Sequence, residues 1–211
     1  MCLERCRRKG MRRFLFFVLI LFFAITKSSI AAQPTERVKE ITDAAIKILT
    51  DEKLKDPSKK EQRKQLLRDE IAKIFDWEEF SKRSLAQHWQ KLSPEQKKEF
   101  IALYQKLLES IYSDRLDEYS GENIKYEGEE ISGNSAIVKA VVVGHKGVDV
   151  PLIYRLINKN NQWYVYDVVI EGVSLVNNYR SQFNAIMTKS GFSGLIKAMR
   201  DKMEGKGDEL K

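Results

Sequence analysis

Residues 124–171 read IKYEGEEISGNSAIVKAVVVGHKGVDVPLIYRLINKNNQWYVYDVVIE, and the punctuation of this stretch decides the fold. Four strand-like runs, Ile124–Ile131, Ser135–Gly144, Val148–Asn158 and Gln162–Glu171, are rich in β-branched and aromatic residues. Between them lie Ser132-Gly133-Asn134, His145-Lys146-Gly147 and Asn158-Lys159-Asn160-Asn161. Short Gly/Asn turns tolerate the positive φ of tight hairpins, so the runs are expected to pair as an antiparallel meander.

A meander with one wet face alternates apolar and polar side chains. The fourth run does not: Trp163-Tyr164-Val165-Tyr166-Asp167-Val168-Val169-Ile170 is apolar on both faces except at Asp167. The second run, with Ile137, Val138, Ala140, Val141, Val142 and Val143, behaves alike. Both faces of the central strands therefore need cover. Helices can supply all of it, or helices cover one face and a guest covers part of the other.

Helical periodicity lies on either side of the meander. Before it, Pro34 opens a helix with Val38, Ile41, Ala45, Ile48 and Leu49 at helical spacing, and Asp56-Pro57 ends it. Ser58-x-x-Glu61 reads as the capping box of a second helix bearing Leu67, Ile71, Ile74 and Phe75. Asp76 caps a short aromatic helix, and Ser93-Pro94-Glu95-Gln96 starts a long one that is expected to end near Gly121. After it, a helix over Ser174–Ser190 and a shorter one over Phe192–Met203 are separated by Gly191. The fold class is α+β: a twisted antiparallel four-stranded meander wrapped by N-terminal and C-terminal helices, in one domain over 32–204 with a charged, loose tail at 205–211.

The first residues read as an export signal. Arg5, Arg7, Arg8, Lys9, Arg12 and Arg13 precede an unbroken apolar run, Phe14 to Ile25, which small residues at Ser29 and Ala31 follow. The run falls short of the roughly 20 apolar residues of a spanning helix, so cleavage after Ala31 is expected rather than anchoring. Translation from Met11 would leave an equally complete signal. Residues 1–31 hold seven Lys/Arg and one Glu, so six of the seven net positive charges leave with them. The basic balance therefore gives no argument for nucleic-acid binding. Cys2 and Cys6 leave too, and an exported chain without thiols suits a bacterial periplasm.

The catalytic inventory is thin. His88 and His145 are the only histidines, without the spacing of a zinc site, and there is no nucleophile elbow, Walker or Rossmann glycine pattern. Ser174 in Gly172-Val173-Ser174 reads as a helix cap. Asp167 and Glu171 would stand about 13 Å apart along an extended strand, too far for a glycosidase pair. No enzyme activity and no cofactor or metal are expected.

The stretch Trp163–Val168, continued by Glu171-Gly172-Val173-Ser174-Leu175-Val176 and Asn178-Tyr179-Arg180-Ser181-Gln182-Phe183, resembles the MlaC family, the toluene-tolerance group of periplasmic phospholipid-binding proteins. Phe75-Asp76-Trp77, His88-Trp89 ahead of Ser93-Pro94-Glu95-Gln96, and Gly191-Phe192-x-Gly194-Leu195-Ile196 extend the likeness over about Val38 to Lys202. The resemblance implies a deep apolar pocket for lipid tails, with phospholipid as cargo. It also implies carriage between an outer-membrane lipoprotein complex and an inner-membrane ABC transporter with its substrate-binding ring, which maintains outer-membrane lipid asymmetry.

On that reading the pocket wall is expected from three elements. The long helix offers Leu103, Leu107 and Ile111, and the sheet offers Val141, Val143, Ile153, Tyr166, Val168 and Ile170. The helix after the meander, with the residue leading into it, offers Val173, Leu175, Tyr179 and Phe183. Strands apolar on both faces leave open which face points inward. Two rival readings stand beside the carrier: a ligand-free periplasmic adaptor, and a small hydrolase using Asp167 or His88.

Overall fold

The computed structural model describes residues 33–117, 119, 121–207, 209 and 210. The export signal expected at 1–31 lies outside them. Four helices come first: α1 (Pro34–Thr50), α2 (Lys60–Ala72), α3 (Trp77–Leu85) and α4 (Pro94–Asp117). The sheet follows as β1 (Asn123–Ser132), β2 (Ser135–His145), β3 (Val148–Lys159), β4 (Gln162–Ile170) and β5 (Val173–Ser174), and α5 (Leu175–Met203) closes the chain.

Local chemistry sets the helix starts. The Asp76 side chain accepts from the Glu79 N–H at 3.0 Å to cap α3. At α4 the box is reciprocal: Ser93 Oγ accepts from the Gln96 N–H, and Gln96 Oε1 accepts from the Ser93 N–H. The start of α2 differs from expectation. Ser58 falls inside a short 3-10 turn opened by Pro57 and capped by Asp56, whose carboxylate accepts from the Ser58 N–H; the turn leads into α2, whose own N-cap position, Lys59, makes no side-chain cap bond. Gly191 sits at φ 64, ψ −168 inside α5 and divides it where the sequence placed a break.

The strands run in the order β1-β2-β3-β4-β5, every pair antiparallel. The meander is as expected; the fifth strand was not foreseen, since two residues pairing Val169 with Ser174 and Ile170 with Val173 carry no periodicity. Register sorts the faces. The rows Ala136–Leu156–Val165, Val138–Tyr154–Val168 and Ala140–Leu152–Ile170 share one face, while Ile137–Arg155–Asp167 and Lys139–Ile153–Val169 share the other. Tyr166 is the extra residue of a bulge in β4. The outer edge of β4 is closed at both ends, by β5 and by Ile74–Asp76. The Asp76 N–H donates to Val165 O at 2.9 Å and the Val165 N–H to Ile74 O at 2.8 Å.

Two apolar cores result. The first face of the sheet packs with Val38 and Ile41 of α1 and with Ile74. A helical core gathers Leu107 with Phe80, Phe100, Tyr104, Tyr179 and Phe183, and the five rings meet edge-on or tilted at 5.0–5.5 Å. Leu210 in the charged tail is buried against this second core. Phe75 and Leu175 touch both.

Asp167 joins the layers. It is 1% exposed and accepts from Arg155 Nη1 at 3.0 Å, Ser174 Oγ at 2.7 Å and the Val176 N–H at 3.0 Å. Ser174 Oγ also accepts from the Asn177 N–H, capping α5. Removal of the carboxylate strands three donors beside the start of α5. Asp167→Ala is expected to cost about 2–4 kcal/mol of stability, read as a lower urea midpoint at unchanged slope. A loss under 1 kcal/mol would show that the junction is held by apolar packing alone.

Candidate ligand-binding cavity

A cavity of about 820 Å³ opens where the two cores part. Its apolar walls follow helical spacing: Val38, Ile41 and Ala45 from α1, Leu67 and Ile71 from α2 with Phe75 just beyond, and Leu108 and Tyr112 from α4. Tyr154 and Val165 supply the sheet wall. Val38, Ile41, Leu67, Ile74, Leu108 and Val165 are buried, so the depth of the cavity is hydrocarbon. Phe75 is held in place by stacking on Trp77, ring centres 4.9 Å apart.

The charged lining residues Lys64, Arg68, Asp69, Lys106 and Glu109 are exposed or half-buried and form the rim. Arg68 forks onto Glu109 with Nε to Oε2 at 2.9 Å and a second contact from Nη2 to Oε1, tying α2 to α4. That hydrogen bond raises the already high pKa of the guanidinium. An apolar depth with a charged mouth is the chemistry of an amphiphile's binding site. Among the described residues no group of three or more His, Cys, Asp or Glu is placed to hold a metal, and no helix is long and apolar enough to cross a membrane.

The protein-family model described as "MlaC protein" matches residues 39–201 of this chain. The chain belongs to the MlaC family.

A relative from Haemophilus influenzae named "Intermembrane phospholipid transport system binding protein MlaC" is 27% identical over 192 residues, 88% of this chain and 89% of that one. A toluene tolerance protein of Pseudomonas putida is 29% identical over 102 residues, 48% of this chain and 47% of its own length. Among solved structures, a phospholipid-binding protein from Ralstonia solanacearum, determined in complex with a phospholipid, superposes with a TM-score of 0.76. It is 23% identical and is covered over 99% of its length by 83% of this chain. At that identity the likeness speaks to the fold, which is the MlaC-like arrangement of an antiparallel sheet and flanking helices.

Within this MlaC-family fold, the residues expected to form a pocket wall and the residues that line the cavity are different sets. Leu107, Tyr179 and Phe183 are buried in the helical core, with Leu103 and Ile111 packed against it. Leu175 touches both cores, and Val168 and Ile170 sit in the sheet core. Register puts Val141 and Ile153 on the opposite face of the sheet. Val143 and Val173 are 39% and 55% exposed, and the Tyr166 ring lies 4.0 Å beneath the Arg83 guanidinium. The cavity instead takes the stripe of α4 one position over, at Leu108 and Tyr112, about 100° around the helix from Leu107 and Ile111. The α1 and α2 stripes were visible as apolar faces; nothing in their period distinguishes a face over a core from a face over a cavity.

Asp167, the acid of the hydrolase reading, is engaged on every side by the contacts described above. His88 Nε2 pairs with Asn184 Oδ1 at 2.9 Å, and His145 Nδ1 with Glu122 Oε1 at 2.7 Å.

Tyr154 gives the cavity wall a measurable titration. Burial pushes its hydroxyl far above the ordinary tyrosine pKa of 10.0, with the Thr42 side chain offsetting part of the rise. Above about pH 10 an unfolded tyrosine releases its proton while the folded one keeps it, so this contribution is complete below pH 10 and lost as pH rises. The loss reaches up to about 1.4 kcal/mol per pH unit. Tyr154→Phe is expected to flatten the fall in urea-measured stability between about pH 10 and 11; an unchanged slope would contradict the buried hydroxyl.

Proposed function

We propose that this chain is an exported, soluble carrier of phospholipid that holds the acyl chains in the cavity between α1, α2, α4 and the sheet and leaves the head group at the charged rim. The observation that carries the reading is the cavity itself, apolar in depth and polar at its mouth, in a member of the MlaC family. Two relatives point the same way, one named for intermembrane phospholipid transport and one solved with a phospholipid bound.

Magnitudes favour a sheltering role over chemistry. At roughly 30 Å³ per methylene, the share a water molecule takes in the liquid, 820 Å³ holds on the order of 27 methylenes. Two acyl chains of about 30 methylenes lose roughly 24 kcal/mol of burial when exposed to water, at about 0.8 kcal/mol each. A free lipid does not cross an aqueous gap against that. A cavity as apolar as the bilayer nearly cancels the loss, so lipid can be taken up and returned without an energy source in the carrier. On this reading the protein works in the periplasm after removal of residues 1–31. There it exchanges cargo with an inner-membrane ABC transporter carrying a substrate-binding ring and with an outer-membrane lipoprotein complex, and the role asks no chemical step of it.

Mass spectrometry of lipid extracted from the purified protein tests the reading. Intact phospholipid is expected; an absence of lipid favours an adaptor, and lysophospholipid with free fatty acid favours a hydrolase. Ala45→Trp, which fills the α1 wall, is expected to weaken lipid retention about ten-fold while the protein stays folded, equivalent to 1.4 kcal/mol of overpacking. Undiminished lipid in that variant would place the cargo elsewhere.

A further inference from the structure

The rim of the cavity carries more cation than it needs for its own cohesion. Arg68 is matched by Glu109, and Asp69 accepts from Gln65 Nε2 at 2.7 Å, a neutral donor that leaves its charge in place. Against that one carboxylate stand two ammonium groups, Lys64 on α2 and Lys106 on α4, both of which line the cavity, so the rim keeps a net positive charge. Neither makes a hydrogen bond or ion pair with any described residue, so both ammonium groups are available to a ligand at the rim.

Position makes the two amines a pair. Lys64 is four residues before Arg68 and Lys106 three before Glu109, so along their helices they stand about 6 Å and 4.5 Å from the α2–α4 bridge. Whichever way the helices run past each other, an anion seated over the bridge lies within about 6 Å of both along the helix axes. Each ammonium ends a flexible four-carbon stem, which suits capture of a point charge rather than a bidentate fit.

From these observations we infer that Lys64 and Lys106 form a recognition site for the phosphate of a lipid head group, and that the carrier therefore prefers lipids whose head group is anionic over zwitterionic ones. The inference rests on the carrier reading above. A zwitterionic head presents the same phosphate together with its own cation, which partly cancels the attraction. Because the rim is solvent-exposed, each contact is worth only what exposed ion pairs are worth, so the expected enrichment is modest, about three- to ten-fold at low salt. It should fade as added salt shortens the screening length well below 10 Å.

The test loads the purified protein from vesicles of equimolar phosphatidylglycerol and phosphatidylcholine with identical acyl chains and measures the bound ratio by mass spectrometry. The wild type is expected to carry about three- to ten-fold more phosphatidylglycerol, and K64Q/K106Q a ratio near one. K64E/K106E is expected to fall below one, while K125Q, at an exposed lysine outside the cavity lining, keeps the wild-type ratio. Inorganic phosphate added at matched ionic strength separates the sources of the anion. If it lowers the ratio no more than chloride does, the site reads the lipid's phosphate; displacement of phosphatidylglycerol by millimolar phosphate would make it a free-phosphate site and overturn the proposal. Bound lipid at a ratio near one in the wild type, or an unchanged ratio in K64Q/K106Q, overturns the rim site and leaves the carrier standing. A wild type that takes up neither lipid removes both.

Discussion

One buried carboxylate connects the parts of this molecule that would otherwise be independent. Asp167 leaves the sheet beside the β4 bulge and receives a guanidinium from β3, a hydroxyl from β5 and a backbone N–H from the first turn of α5. A carboxylate at a helix N-terminus is favoured by the exposed N–H groups and the helix dipole. Here it also fixes where α5 begins relative to β4, and through α5 it sets the position of Tyr179 and Phe183 in the helical core. The single polar residue in an otherwise apolar strand is thus the register pin between sheet and helices, not an interruption of the strand.

With that junction fixed, the two cores diverge from it. They touch through Phe75 and Leu175, and the cavity lies between residues of the sheet face and residues of α4. α1 and α2 complete the lining, and the Arg68–Glu109 fork ties α2 to α4 at the rim. The cavity is a consequence of this layout: two cores joined at a few residues leave space between them, and apolar residues face it from four elements.

Most of the fold was legible because it is written in local signals. The hairpin turns, the caps at Asp76 and Ser93 and the break at Gly191 are each a few residues long and act where they stand. β5 is too short to carry a period, and Ser58 opens no capping box because Pro57 starts a 3-10 turn, capped by Asp56, ahead of α2. The cavity wall was harder. On α4, Leu107 and Leu108 are equally apolar and adjacent, yet one is sealed in the helical core and the other faces the cavity. Which way each points depends on the rotation of α4 against α5 and the sheet, a tertiary quantity. Bulging at Tyr166 had the same effect in β4, since one extra residue moved Val168 onto the face that Val165 occupies.

The placement of the cavity between cores, instead of within one, follows from how protein interiors pack. A close-packed interior transmits strain and does not open gradually. The interlocked rings of Phe80, Phe100, Tyr104, Tyr179 and Phe183 could not make room for a guest without losing their mutual contacts. The wall made by α2 is of another kind: Leu67 is its only buried residue, and its outer surface is charged. Such a wall gives up little apolar contact when it shifts. The two sides of the cavity thus differ in kind: on one, an aromatic helical core that cannot open without losing its ring contacts, and on the other a helix whose tie to α4 is a half-exposed ion pair.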